Sequence, residues 1–319
     1  MLPQIAEIQH KLEKEHYVTD RAIATTVYLA MHLRKPVLIE GQAGVGKTEI
    51  AKVLAAALDT DLIRLQCYEG LDANTALYEW NYPKQMLHIR LEEAVGANHD
   101  LRAAEAEIFS EPYLLKRPLL QAITRKDKGP VLLIDEVDRA DEEFEAFLLE
   151  ILSDFQVTIP ELGTVRAEHR PHVVLTSNRT RELSDALKRR CLYLWIDYPD
   201  FDKEVRIIEA KVDGINHQLA GQVAGFMQVV RRLRLSKTPG MAESLDWAMS
   251  LMALHADHLE IEAVNETLGA ILKDRDDVSR LAGARAGTIV DELAELDGER
   301  LKTAAPGIAQ RLDKELVAR

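Results

Sequence analysis

The sequence is short of cysteine, of long apolar runs and of positive charge, and each shortage closes off a class of protein. Its two cysteines, Cys67 and Cys191, are far apart and have neither zinc-ligand nor redox spacing. Both are expected to be reduced, structural thiols. No stretch approaches the roughly 18 apolar residues of a membrane span. Met1 to Glu15 carries Glu7, Lys11, Glu13, Lys14 and Glu15, which excludes the apolar core of a signal peptide. A soluble, cytoplasmic protein is expected. Lys and Arg number 40 against 53 Asp and Glu, a formal net charge of −13. Charge of that sign favours solubility and repels nucleic acid as a whole, leaving room only for a local basic pore or patch. The 10 histidines form no His-Glu-x-x-His pair. No Asn-Lys-x-Asp string of the kind that reads guanine occurs, and there is no internal repeat or low-complexity tract.

What is present is ordinary globular material. With 319 residues, 47% hydrophobic and 29% charged, the chain is long enough for a sizeable core and about two domains. Ile5, Ile8 and Leu12, then Ile23, Val27, Ala30 and Met31, have helical spacing. A short buried strand follows at Pro36–Glu40, then a glycine-rich turn at Gly41, a helix from Lys47 to Leu58 and a strand at Leu62–Gln66. Between Tyr68 and Thr124 the pattern is irregular, with helices expected near 85–94 and 113–124. Pro130 opens the very apolar strand Val131–Ile134. Asp141 reads as an N-cap, with Glu142 and Glu143 suiting the positive helix end. Phe144, Phe147, Leu148, Ile151, Leu152 and Phe155 then make the cleanest amphipathic helix in the chain. Val157, Ile159 and Val165 flank a Pro160–Gly163 turn, so 156–170 reads as a hairpin. Strands at His172–Ser177 and Leu192–Ile196 bracket a short helix near 182–189. Strands alternating with helices imply a parallel α/β sheet. After Pro199 only helical patterns occur, which divides the chain into an α/β domain, 1–198, and a helical domain, 199–319.

The chemistry concentrates at strand ends. Gly41-Gln42-Ala43-Gly44-Val45-Gly46-Lys47-Thr48, followed by Glu49, fits the phosphate-binding loop pattern, and it lies between a strand and a helix as that loop must. Glycines let the backbone curl so that its N–H groups face phosphate oxygens, and the helix N-terminus adds partial positive charge. Lys47 is expected on the β- and γ-phosphates of ATP, and Thr48 on Mg²⁺. Asp135 and Glu136 end the buried strand, where ligands bind in α/β sheets. Asp135 suits Mg²⁺ coordination, direct or through water, and Glu136 suits a general base for the attacking water. Asn178 ends the next strand and is expected to orient that water. Arg189 and Arg190 end a short helix. One of them, Arg190 ahead of Arg189, is expected to reach a neighbouring subunit's γ-phosphate. Trp195 is expected in the core. Tyr78, Trp80 and Tyr82 divide evenly between a contact loop and local packing.

These residues resemble a known family. Gly41–Thr48 followed by Glu49-Ile-Ala-Lys52, Asp135-Glu-Val-Asp-Arg-Ala140 and Thr176-Ser-Asn178 are similar to the MoxR branch of AAA+ ATPases, over nearly the whole chain. Leu62–Leu71, Tyr78-Glu-Trp80 and Ala186–Cys191 are similar to its CoxD-like members, which serve maturation of carbon monoxide dehydrogenase-type enzymes. The resemblance implies a five-stranded sheet in the order 5-1-4-3-2 and a C-terminal helical lid. It also implies insertions at about 68–112 and at the 156–170 hairpin. Hexameric rings, a CoxE-like partner with a von Willebrand factor A (VWA) domain and a client metalloenzyme are implied as well. One departure stands out: many AAA+ proteins carry a γ-phosphate-sensing arginine where this chain reads Thr238–Ser244, without a basic residue. The leading expectation is an ATP-driven remodelling chaperone, and the alternative is a nucleic-acid motor or clamp loader.

Overall fold

The computed structural model describes residues 3–95, 106–294, 296 and 298–317; part of the expected 68–112 insertion lies outside them. The chain divides into two compact units. The first comprises the chain up to Lys11, Asp20–Gly41 and Lys47–Trp195; the second comprises Leu12–Thr19, Gln42–Gly46 and everything from Ile196 onward.

Strands run along the chain as β1 (Val37–Gly41), β2 (Leu62–Gln66), β3 (Tyr78–Trp80), β4 (Leu114–Lys116), β5 (Val131–Asp135), β6 (Gln156–Ile159), β7 (Gly163–Arg166), β8 (His172–Ser177) and β9 (Leu192–Ile196). Five of them form the main sheet, ordered β2-β5-β8-β1-β9. Counted within this sheet alone, that is 5-1-4-3-2, as expected; the remaining strands form two separate pairs, β3 with β4 and β6 with β7. The pairings β2·β5, β5·β8 and β1·β8 are parallel. Every residue of β1 and β5 is buried. These central strands are covered on both faces, which is why they read as unbroken apolar runs. The β6–β7 hairpin pairs Val157 with Val165, where the turn at 160–163 suggested it.

The helices as far as residue 190 are α1 (Pro3–Lys14), α2 (Arg21–Leu33), α3 (Lys47–Ala57), α4 (Ala73–Leu77), α5 (Tyr82–Val95), α6 (Pro118–Ile123), α7 (Glu142–Asp154) and α8 (Asp185–Arg190). Asp141 caps α7 by accepting from the Phe144 N–H at 2.8 Å. Phe144, Leu148, Ile151 and Leu152 of that helix are buried with Leu132, Ile134 and Leu175 of the sheet. Helix α6 starts later than the periodicity indicated because Pro118 sits in its first turn, where a missing N–H costs nothing.

Trp195 is not a core residue: it is 38% exposed. β9 is the edge strand, and its burial alternates, with Leu194 and Ile196 buried and Tyr193 and Trp195 outward. The Arg179 guanidinium lies over the Trp195 ring at 5.7 Å, a cation–π contact. The aromatic cluster splits between the two expectations. Trp80 is buried edge-to-face against Phe109 at 5.2 Å, whereas Tyr82 is exposed.

The second unit carries α9 (Phe201–Lys211), α10 (His217–Val230), α11 (Met241–Ala253), α12 (Ile261–Ile271), α13 (Arg275–Leu281), α14 (Ala284–Ala294) and α15 (Gly298–Val317). α10 is buried almost all round, and Phe226 packs on Trp247 at 4.8 Å. A buried ion pair ties α9 to the end of α10: Glu204 accepts from both Arg231 terminal nitrogens at 2.6 and 2.8 Å. Arg231 Nε also donates to the Pro239 carbonyl at 2.9 Å, fixing the turn that enters α11. No described helix is long and apolar enough to cross a membrane.

Both cysteines are free and buried, and burial pushes each thiol up to about 12. The folded chain therefore keeps these protons above pH 9, where the unfolded chain releases them. Stability should fall as pH rises from about 9, by up to roughly 1.4 kcal/mol per pH unit per thiol, since the folded state then binds more protons. Thiol labelling at pH 8 should be negligible until denaturant is added; rapid labelling of the native protein would contradict the burial.

Candidate active site

Parallel register sets the strand ends side by side. Gln66 pairs with Asp135, and Ile134 with Leu175, so the carboxyl ends of β2, β5 and β8 share one edge. Thr48, in the first turn of α3, donates its hydroxyl hydrogen bond to Asp135 Oδ1 at 3.0 Å. The two residues that the sequence assigned to a metal ion thus come together. A hydroxyl and a carboxylate are hard oxygen donors that suit Mg²⁺, which binds through few protein ligands and retains water. Lys47 is buried, and its Nζ donates to the Gly41 carbonyl at 2.8 Å. Burial pulls its pKa below the ordinary lysine value, against the opposing pull of Asp138, Asp135 and Glu136. In the loop tip, which belongs to the second unit, Gly44 and Gly46 have φ of 74° and 90°, a region that costs other residues strain. Gly41 instead closes β1. Glu49 pairs with Lys52 at 3.3 Å on the helix surface.

Glu136 follows β5 in the left-handed region, with φ of 54°. Such backbone strain in a residue with a side chain persists only where its surroundings enforce it. Here its N–H donates to Thr176 Oγ1 at 2.9 Å, and Thr176 donates in turn to Asp135 Oδ1. The Glu136 carboxylate accepts from Gln66 Nε2 at 3.1 Å and from Arg139 at 3.2 Å.

Several of these partners were missed by sequence reasoning. Arg64 of β2 grips Asp135 Oδ2 through Nε at 3.0 Å and a terminal nitrogen at 2.6 Å. Asp138, 2% exposed, accepts from the backbone N–H groups of Asn178 and Thr180 at 3.2 and 2.8 Å. It therefore fixes the backbone that carries Asn178. The available signal was register: once β2 and β5 are neighbours, Arg64 and Gln66 lie along Asp135 and Glu136.

Arg189 and Arg190 end α8, both exposed. Arg190 donates to the Leu149 carbonyl of α7 at 2.7 Å, whereas Arg189 has no such tether among the described residues.

The chain is 25% identical over 228 residues to an uncharacterized protein of Staphylococcus haemolyticus, covering 69% of this chain and 78% of the relative. An uncharacterized protein of Staphylococcus aureus (strain bovine RF122) is 27% identical over 59% of this chain and 65% of its own, just under two thirds of that relative's length. Among solved structures, the Holliday junction branch migration motor RuvB of Thermotoga maritima aligns at a TM-score of 0.45, with 18% identity over 82% of this chain and 68% of that one. Domain III of the T. maritima replication initiation protein DnaA aligns at 0.46, with 14% identity over 82% and 96%. Residues 36–191, which include Thr48, Asp135, Glu136 and Asn178, match the AAA domain of the dynein-related subfamily.

Proposed function

We propose that this chain is an ATP hydrolase whose active site is completed by a neighbouring subunit in a ring. The observation that carries the reading is the 3.0 Å link between Thr48 and Asp135. It joins the end of a phosphate-loop sequence to the acidic end of a buried strand. In this reading the N–H groups of Gly41, Gln42, Ala43, Gly44, Val45 and Gly46 cradle the phosphates, and Lys47 contacts the β- and γ-oxygens. Thr48 and Asp135 hold Mg²⁺, which neutralises phosphate charge when bound. Glu136 takes the proton from the attacking water, and Asn178 orients that water. Gln66 and Arg139 hold the Glu136 carboxylate until substrate arrives.

The matched AAA domain supports an ATPase. The finer reading, a MoxR-type remodelling chaperone in a hexameric ring, rests on the sequence resemblance. So do the helical lid from residue 199, the VWA-domain partner and the client metalloenzyme. Of the two candidate trans arginines, Arg190 donates to the Leu149 carbonyl, and Arg189 makes no such bond among the described residues.

Mixing tests the shared site. Arg189→Ala and Arg190→Ala should each assemble, and the true trans arginine, when replaced, should lose Mg²⁺-dependent hydrolysis by about 10³-fold or more. Adding inactive Glu136→Gln subunits, which supply an intact arginine, should restore part of that activity. Absence of rescue in demonstrably mixed rings would refute a shared site. Strong stimulation by DNA would favour a nucleic-acid motor over a chaperone.

A further inference from the structure

A second cluster lies apart from the phosphate-loop residues and shares none of them. His88 and Glu92 stand four positions apart on α5, hence on one helix face. Glu107 comes from the segment just before the 3-10 turn Glu111–Tyr113. Two buttresses tie that segment to α5. Gln85, buried, donates to the Ile108 carbonyl at 2.6 Å, and Lys84 donates to the Pro112 carbonyl at 3.0 Å. The His88 ring is set against Tyr113, with centroids 5.7 Å apart.

We propose that His88, Glu92 and Glu107 form a binding site for a divalent transition-metal ion of the zinc type. One ligand atom from each residue falls within 4.8 Å of the others. His88 Nε2 lies 3.2 Å from Glu92 Oε1 and 3.6 Å from Glu107 Oε1. Ligands bound tetrahedrally at about 2.0–2.2 Å stand about 3.3–3.6 Å from one another, close to the two distances from His88 Nε2. The second, independent observation is the nitrogen itself. The His88 side chain is 27% exposed, but its Nε2 is buried, and no aligned hydrogen bond meets it although two carboxylates lie alongside. A protonated imidazole would aim its N–H at one of them; a metal ion placed among the three atoms satisfies all of them without that alignment. One imidazole and two carboxylates also balance a divalent charge and leave a fourth position open for water or a further ligand.

The probe is Zn²⁺ alone, titrated into the nucleotide-free full chain by equilibrium dialysis in excess Mg²⁺, so that hard-oxygen sites are already filled. Wild type should bind one tight Zn²⁺ per chain. His88→Ala should abolish that equivalent, and Glu107→Gln should weaken it by at least about tenfold. Co²⁺ in place of Zn²⁺ should give the intense visible absorption of a tetrahedral site in wild type and not in His88→Ala. Equal Zn²⁺ binding by wild type and both variants, or no stoichiometric binding by wild type, overturns the site. Glu107 is exposed, so Glu107→Gln keeps the test decisive even if His88→Ala misfolds.

Discussion

Glu136→Gln should bind ATP as wild type does and hydrolyse it about 100- to 10,000-fold more slowly, the range expected for loss of a general base. The substitution keeps the side chain's shape, and Gln66 and Arg139, which hold the carboxylate at 3.1 and 3.2 Å, can still donate to an amide oxygen. The loss should therefore fall on the chemical step and leave nucleotide binding intact. Lys47→Ala is the complementary control. It removes the buried ammonium that rests on the Gly41 carbonyl at 2.8 Å, and it should abolish binding itself. Fluorescent-nucleotide titration together with phosphate release separates the two. Near-normal turnover by Glu136→Gln would remove the base assignment; undiminished binding by Lys47→Ala would remove the phosphate loop.

The largest stability effect is expected far from the chemistry. Arg231 and Glu204 have side chains only 5% and 0% exposed. Glu204 also accepts from Gln228 at 2.8 Å and from Ser244 at 2.7 Å. Glu204→Ala strands a buried guanidinium and should cost about 3–5 kcal/mol, a large part of an ordinary domain's total stability. Replacing both partners by Leu and Met removes the stranded charge, so the double variant should be more stable than Glu204→Ala. Urea unfolding followed through Trp247, fully buried in the same unit, measures both. A cost below about 1 kcal/mol for Glu204→Ala would mean that water reaches Arg231.

Much of this fold was legible because its signals are local. β2 and β9 occupy the residues that their apolar runs indicated, Leu62–Gln66 and Leu192–Ile196. The Asp141 cap was readable from the acids that follow it. Trp195 was misread because an apolar run does not say which strand is the edge; only topology shows that β9 has one neighbour. The strand-end side chains were half legible. Thr48, Asp135 and Glu136 stand in short strings whose spacing carries the chemistry. Arg64, Gln66 and Asp138 also lie in strings that mark the resemblance, but their roles are not readable there, because each acts on a residue brought near only by parallel pairing or by a turn. The Arg64–Asp135 contact joins positions 71 residues apart. The His88 cluster was invisible for a similar reason: its third member returns from outside the helix.

Gly240 limits which substitutions this chain can accept. A Cβ there would meet the Ala43 carbonyl oxygen and Gly44 Cα, each at 2.8 Å, and the Met241 N–H already donates to the Gly44 carbonyl at the same distance. Those neighbours are main chain and cannot swing aside as a side-chain tip would. A codon change at 240, to arginine or to anything else with a side chain, must first push two backbones apart. The bar is set by main chain, so it holds for every side chain at 240 whatever its charge. A basic residue introduced into this turn would therefore have to stand at a position other than 240.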